Sequence, residues 1–401
     1  MNNGWSIAKL GDYISIKSGL SYKGSKIGYG DSILLGMGCV SYKDTFVYSG
    51  ARPYDGNDID EAYCVSVGDI VLATRQQSDN LPILAMPAII PDDFYGKKVI
   101  FGTNLYKVDN NSELSNRFIF WLLKNKHYVA YIAGVKSGTA VQMVTKKNVE
   151  NYKFLCPPKE QREAIADLMW TYEKIISNNN KRIKILEQMA ENLYKEWFVR
   201  FRFPGHEDVE FENGIPKGWE VKRLNEIADI LMGQSPESEY YNDNGEGLPF
   251  HQGVGSYGDF YLVDSTYSTE GKRIAEPFSI IFSVRAPVGR ININLSRIIL
   301  GRGVASINSK YKRNGYLLWM LKNMFSKEDI IGNGSIFTSV TKDELYKQKI
   351  LTPSNDLIDR FDRIASDIEK QIRNIYITNC NLVKQRDLLL PRLMSGKLQV
   401  K

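Results

Sequence analysis

The chain has 401 residues, 43% of them hydrophobic, with a formal net charge of +6 at neutral pH. That length and apolar content suit two globular domains with real cores and exclude a disordered chain. No run approaches the ~20 apolar residues that span a bilayer, and residues 1–10 lack the charged-then-apolar layout of a secretory leader, so the expected compartment is the cytoplasm. Cys39, Cys64, Cys156 and Cys380 are scattered without a CxxC pair, and only His127, His206 and His251 could join them at a metal. Neither disulfides nor a metal site is expected.

In chain order, residues 1–157 read as a globular unit of mixed α+β character. Short β-rich runs at 70–74, 89–90 and 99–101 lie between clusters of Gly, Pro, Asn and Asp, and 117–131 reads as a helix. Residues 158–203 hold no glycine and one proline, Pro158, which is tolerated in a first turn. They predict one long helix, stopped at Pro204-Gly205. Residues 204–353 supply a linker at 207–217 and a second globular unit, with a strand at 280–284 and a helix at 316–325. Residues 354–401 close the chain with a second long helix, expected to end at Leu390 before Pro391, and a short tail. Both long stretches carry an apolar stripe at helical spacing: Ile165, Leu168, Tyr172, Ile175, Leu186 and Leu193 in the first, Phe361, Ile364, Ile368, Ile375, Leu382 and Leu389 in the second. A narrow stripe calls for a single partner helix, and each is the natural partner of the other. Asn178-Asn179-Asn180 and Asn379 interrupt the stripes, as register-setting polar seam positions or as a local bend.

The plan is duplicated. Gly4-Trp5, Leu10, Ile16 and Gly19 recur as Gly218-Trp219, Leu224, Ile230 and Gly233 at a constant offset of 214. The run 69–75 recurs at 279–285, each ending in an arginine, and Trp121-Leu122-Leu123-Lys124 recurs as Trp319-Met320-Leu321-Lys322. Val144-Thr145-Lys146 and Pro157 match Val340-Thr341-Lys342 and Pro353 at an offset of 196. The shrinking offset is the mark of loops that vary on a kept framework. If the first helix leads away from unit one and the second pairs with it, the simplest arrangement is an antiparallel coiled coil with pseudo-two-fold symmetry, a unit at either end and two similar docking surfaces.

Catalytic tools are scarce. There is no GxxxxGK[ST] loop, GxSxG elbow, HExxH pair or strand-anchored GxGxxG, and Pro91-Asp92-Asp93 before Lys97-Lys98 lacks the acidic-x-Lys triplet of a metal nuclease. No Asn/Asp-Pro-Pro-aromatic motif for amino-methyl transfer is present, so catalytic residues are expected to be none. Binding tools are better represented. Tyr22, Lys23, Arg75, Gln76, Gln77, Ser78, Lys136, Ser137, Gly138 and Thr139 in the first unit, with His251, Gln252, Tyr257, Arg285, Arg290, Arg302, Ser335, Phe337 and Thr338 in the second, fall beside glycines in predicted loops. Arg pairs twice with guanine, Gln with adenine, and Ser, Thr and glycine amides suit phosphates. Any one of them alone reads first as a solvated loop residue; their clustering at equivalent places in both units is what points to base and backbone contact.

With these landmarks laid out, the chain resembles the specificity subunits of type I restriction-modification systems. The resemblance is carried by Gly4-Trp5 with Leu10, Gly218-Trp219 with Leu224, the Val-Thr-Lys and Pro landmarks, the two long helices, and residues 193–205 leading into the second unit. It covers nearly the whole chain. It implies a non-catalytic subunit with two target recognition domains, each reading half of a split, asymmetric site in double-stranded DNA, with the helices as a ruler for the unspecified spacer. It also implies two modification subunits that use S-adenosylmethionine to methylate adenine at N6, and two restriction subunits that use ATP and Mg; none of these cofactors is expected on this chain. A specificity subunit for a methyltransferase without a nuclease, and a coiled-coil adaptor joining two protein-binding domains, are the competing readings.

Overall fold

The fold is described from a computed structural model over residues 4–77, 82–325 and 339–400. Two compact units divide the chain, residues 1–179 with 377–401, and residues 180–376. Each therefore takes in part of both long helices. The architecture is α+β.

In unit one an antiparallel four-stranded sheet runs in the order Ile14–Ser18, Leu105–Asn110, Ile70–Ala73, Pro87–Ile89. Ile70–Ala73 is apolar throughout because both of its faces are covered: Ile70 and Leu72 enter one core, Val71 and Ala73 another. A second sheet sets Ile27–Leu35 parallel to Val99–Phe101. A two-stranded ribbon, Ser6–Lys9 with Lys153–Cys156, joins the start of the unit to its end.

Unit two repeats this frame. Its sheet order is Ala228–Met232, Val304–Ser309, Ile280–Ser283, Ile291–Ile293; Leu248–His251 lies parallel to Ile298–Leu300; and its ribbon pairs Glu220–Arg223 with Lys349–Thr352. Several duplicated landmarks now have physical causes. A Cβ on Gly19 would stand 2.1 Å from the Gly102 carbonyl oxygen, and one on Gly233 would stand 2.1 Å from that of Gly301, so both crossings admit only glycine. In the Val-Thr-Lys motifs, Val144 and Val340 are buried, while Thr145 and Thr341 cap the short helices Lys146–Glu150 and Lys342–Tyr346. Trp121 and Trp319 are core residues. The helix expected over 117–131 is two helices, Asn116–Lys124 and Lys126–Val135, because buried Asn125 leaves the helical conformation and its side chain caps the second.

The long helices are Lys159–Tyr194, continued by a π turn Lys195–Val199, and Asn355–Met394. The first stops short of residue 203. Phe201 takes a positive φ of 58°, which lets Phe198, Phe201 and Phe203 close around Trp219 with ring centroids 5.3–6.1 Å apart. Packing, not a breaker residue, ends it. The second helix runs past Leu390 and through Pro391, held by the buried Leu390, Leu393 and Met394 of unit one.

Within each unit the two helices pair antiparallel. In unit one Tyr172 donates to Gln385 and Asn179 to Asn379, and Gln161 donates to the carbonyl of Val400 in the tail beyond the second helix; in unit two the rings of Tyr194 and Trp197 both lie 5.8 Å from Phe361. Buried and half-buried positions alternate strictly by three and four: 162, 165, 169, 172, 176, 179, 183, 186, 190, 193 and 197 face 358, 361, 365, 368, 372, 375, 379, 382, 386, 389 and 393. That 3.5-residue repeat is a coiled-coil seam. Three assigned seam residues are corrected by it. Ile175 is 43% exposed and Ile364 40%, because the step after Tyr172 and after Phe361 is four, to Ile176 and to Ala365. Leu168 flanks the seam and packs on the core of unit one. Asn179 and Asn379 are seam residues, 7% exposed each, joined by an Nδ2 to Oδ1 hydrogen bond of 2.8 Å.

Candidate nucleic-acid interface

In unit one, Arg75–Gln76 pairs antiparallel with Gln142–Met143 at the edge of the unit. Residues 137–143 close into a hairpin through reciprocal backbone bonds between Ser137 and Met143 of 3.0 and 2.8 Å. Gly138 has φ of 94°, and a Cβ there would meet the Val141 carbonyl oxygen at 2.3 Å, so the hairpin requires glycine. This pairing brings together Arg75, Gln77, Lys136, Ser137, Gly138 and Thr139; all but the half-buried Lys136 are exposed. Lys136 Nζ donates to Gln142 Oε1 at 3.2 Å.

Gln76 is corrected. It points inward and is 5% exposed; its Nε2 donates to Gln142 Oε1 at 2.6 Å, and its Oε1 accepts from the Ile83 and Leu84 backbone amides at 3.1 and 3.0 Å. It fastens the Arg75 strand in place and has no face left for a base. Tyr22 is half-buried against Gly102, its ring edge-on to Tyr54, and Lys23 next to it is exposed.

Unit two builds its surface on the same frame with other side chains. The turn 301–303 lies under Gln252: a Cβ on Gly303 would sit 2.2 Å from the Gln252 carbonyl oxygen. Val284 donates to the Gly303 carbonyl at 2.9 Å, which places Arg285 beside Arg302 and Gln252, and Arg285 bridges to Ser339. Arg290 closes a separate turn, 284–290, which carries Arg285; its backbone amide donates to Ser283 Oγ at 2.9 Å and its carbonyl accepts from the Ser283 amide at 2.9 Å. Gln252, Arg285, Arg290 and Arg302 are exposed. Arg75, Arg285 and Arg302 form no ion pair among the described residues, so their charge is directed at solvent rather than at a neighbouring carboxylate.

His251 and Tyr257 are corrected as well. His251 is 1% exposed, with Nδ1 2.8 Å from Ser256 Oγ and Nε2 3.0 Å from Asp264 Oδ1; it ties down the loop that carries Gln252. The Tyr257 hydroxyl is buried and its ionisation is pushed up by burial. Ser78, Ser335, Phe337 and Thr338 lie outside the described residues. Outside the predicted set, Thr103 is exposed at an equivalent place, its hydroxyl donating to the Leu20 carbonyl at 2.8 Å. It occupies, after Gly102, the place that Arg302 occupies after Gly301, and the shared glycine was the signal for it. Among the described residues, no group of three or more His, Cys, Asp or Glu could hold a metal, and no helix is long and apolar enough to cross a membrane.

The decisive comparison is with protein families. Residues 2–188 and 216–375 each match the model of the type I restriction modification DNA specificity domain. The chain belongs to that family. With two such domains it is a type I specificity subunit, a DNA sequence-recognition component.

Relatives agree along most of its length. A candidate type I restriction enzyme MjaX specificity subunit of Methanocaldococcus jannaschii is 27% identical over 350 residues, 84% of this chain and 80% of that one. The HindI specificity subunit of Haemophilus influenzae is 24% identical over 356 residues, 70% and 77% of the two chains. The crystal structure of a type I restriction-modification S subunit from M. genitalium has the same fold at 14% identity, with a TM-score of 0.55 over 98% of this chain and 97% of that one.

Proposed function

We propose that each unit reads one half of a bipartite, asymmetric site in double-stranded DNA, and that the long helices fix the unspecified spacer and carry two methyltransferase subunits. One observation carries this reading: a common frame presents unlike chemistry at equivalent loops, Thr103 beside the Arg75 and 136–143 surface in one unit, Arg302 with Arg285 and Gln252 in the other. Two unlike readers on one frame specify two unlike half-sites. Bond-making belongs to the partners. The methyltransferase subunits bind S-adenosylmethionine and modify adenine at N6; two restriction subunits, where present, bring ATP-driven translocation and Mg-dependent cleavage. The complex works in the cytoplasm, where its DNA is.

Mapping N6-methyladenine across a host genome with and without this chain tests the proposal. The expected result is a two-part motif with a fixed gap that disappears when the chain is absent. An unchanged map overturns it.

A further inference from the structure

The ribbon that closes each unit carries a surface that neither folding nor base reading uses. In unit one Ile7 pairs with Leu155 and Lys9 with Lys153. In unit two Val221 pairs with Leu351 and Arg223 with Lys349. Side chains two apart on a strand share a face. Each ribbon thus turns the same motif outward: an apolar cross-strand pair followed by a pair of cations. The opposite face of each ribbon is the structural one, for Phe154 and Ile350 are core residues at 6% exposure each.

Two features of this face work against folding. Ile7 is 80% exposed, Val221 62% and Leu155 37%, while Leu351 is half-buried. Lys9 directly opposite Lys153, and Arg223 directly opposite Lys349, set like charges about 5 Å apart at Cβ, an arrangement that weakens a sheet. None of the four cations forms an ion pair among the described residues, and all four are exposed. The same costly motif stands at equivalent positions in both units although the residues differ, so what the copies share is its chemistry. In each case the ribbon leads within a few residues into a long helix, Lys159–Tyr194 or Asn355–Met394.

We infer that each ribbon face is a docking site for one copy of a single protein partner, which presents an apolar anchor rimmed by carboxylates. Charge complementarity selects an acidic rim, and the Ile-Leu and Val-Leu pairs select a protein over a phosphate backbone, which has no use for them. Resting on the function proposed above, the occupant is the methyltransferase subunit, whose footprint extends from the helix onto the ribbon.

Native mass spectrometry of the full chain with its co-expressed methyltransferase subunit tests this by counting bound copies. Lys9→Glu with Lys153→Glu, or Arg223→Glu with Lys349→Glu, is expected to weaken one of the two copies by about tenfold or more and to accumulate a one-copy complex. Combining the two sets should remove both copies. The variants Lys9→Arg with Lys153→Arg should keep both, and matching thermal unfolding of all variants separates docking from folding. Two copies retained at unchanged affinity in the charge-reversed variants overturns this surface while leaving the proposed function standing. Weakened, less salt-sensitive DNA binding with partner uptake intact overturns it also, by making the cations phosphate contacts. A wild-type chain that takes up no methyltransferase subunit overturns the proposed function and this surface with it.

Discussion

Arg302 sits on a turn with no room for a Cβ on either side, since Gly301 and Gly303 both press against the Gln252 backbone. A guanidinium mounted on so constrained a turn is pre-positioned, and it has no carboxylate partner among the described residues. Arg302→Ala is expected to lower DNA affinity by about 1–3 kcal/mol and to relax preference at one base position, read by binding to a panel of single-base variants. A uniform loss across the panel would make Arg302 a phosphate contact. Residue chemistry was legible in the sequence; residue direction was not. Gln76 and Gln77 are neighbours of one type, yet strand alternation sends Gln76 inward to clamp Gln142, Ile83 and Leu84 and leaves Gln77 exposed. His251, read as a loop residue, ends the strand Leu248–His251, and only the fold brings Ser256 and Asp264 to its two ring nitrogens.

At the scale of elements, each unit buries ionisable groups between its helices, and the two sets are unlike. In unit one Glu173 accepts from Arg386, while Lys124 Nζ donates to the carbonyls of Ser41, Tyr42 and Asp44, and burial draws that lysine down to about 7. In unit two Lys322 pairs with Glu187 at 3.5 Å, and the buried Oε1 of Glu369 takes no hydrogen bond among the described residues. Burial, with Asp362 adding to it and Lys322 and Arg373 opposing it, raises the Glu369 carboxyl from 4.5 to about 8. An acid raised on folding stays protonated in the native state while the unfolded chain ionises, so its contribution is intact below pH 4.5 and is lost as pH climbs toward 8. Glu369→Gln should therefore stabilise the protein by on the order of 4 kcal/mol at pH 8 and leave it nearly unchanged near pH 4.5, measured by denaturant unfolding at both values. A gain of equal size at both would contradict the assignment.

The helices themselves were plain in the sequence from their uninterrupted length. Their seam was less so, because steps of three and four look alike until burial chooses between Ile175 and Ile176, or between Ile364 and Ala365. The Asn179–Asn379 pair gives a sharper test of that seam. Asn179→Leu alone leaves the Asn379 side chain without its 2.8 Å partner and should cost about 1–3 kcal/mol, whereas Leu at both positions should recover most of the loss. Strictly additive losses in this double-mutant cycle would show that the two side chains do not meet.

For the whole molecule, duplication was the most legible property, because it rests on features that admit few alternatives: glycines where a Cβ would strike a carbonyl, and threonines that cap helices. Loops on that frame were the least legible, since solvent places few demands on their residue types and their geometry follows from pairings between distant segments. Duplication with divergence is also what gives the proposed function its form, two readings joined by a length. Inserting one heptad into each long helix at facing seam positions keeps the coiled-coil register and adds about 10 Å, the rise of about three base pairs. Mapping N6-methyladenine in cells that carry this lengthened chain is the most direct measurement. The account predicts both half-sites unchanged and the gap between them longer by about three base pairs; the original gap, or altered half-sites, would contradict it.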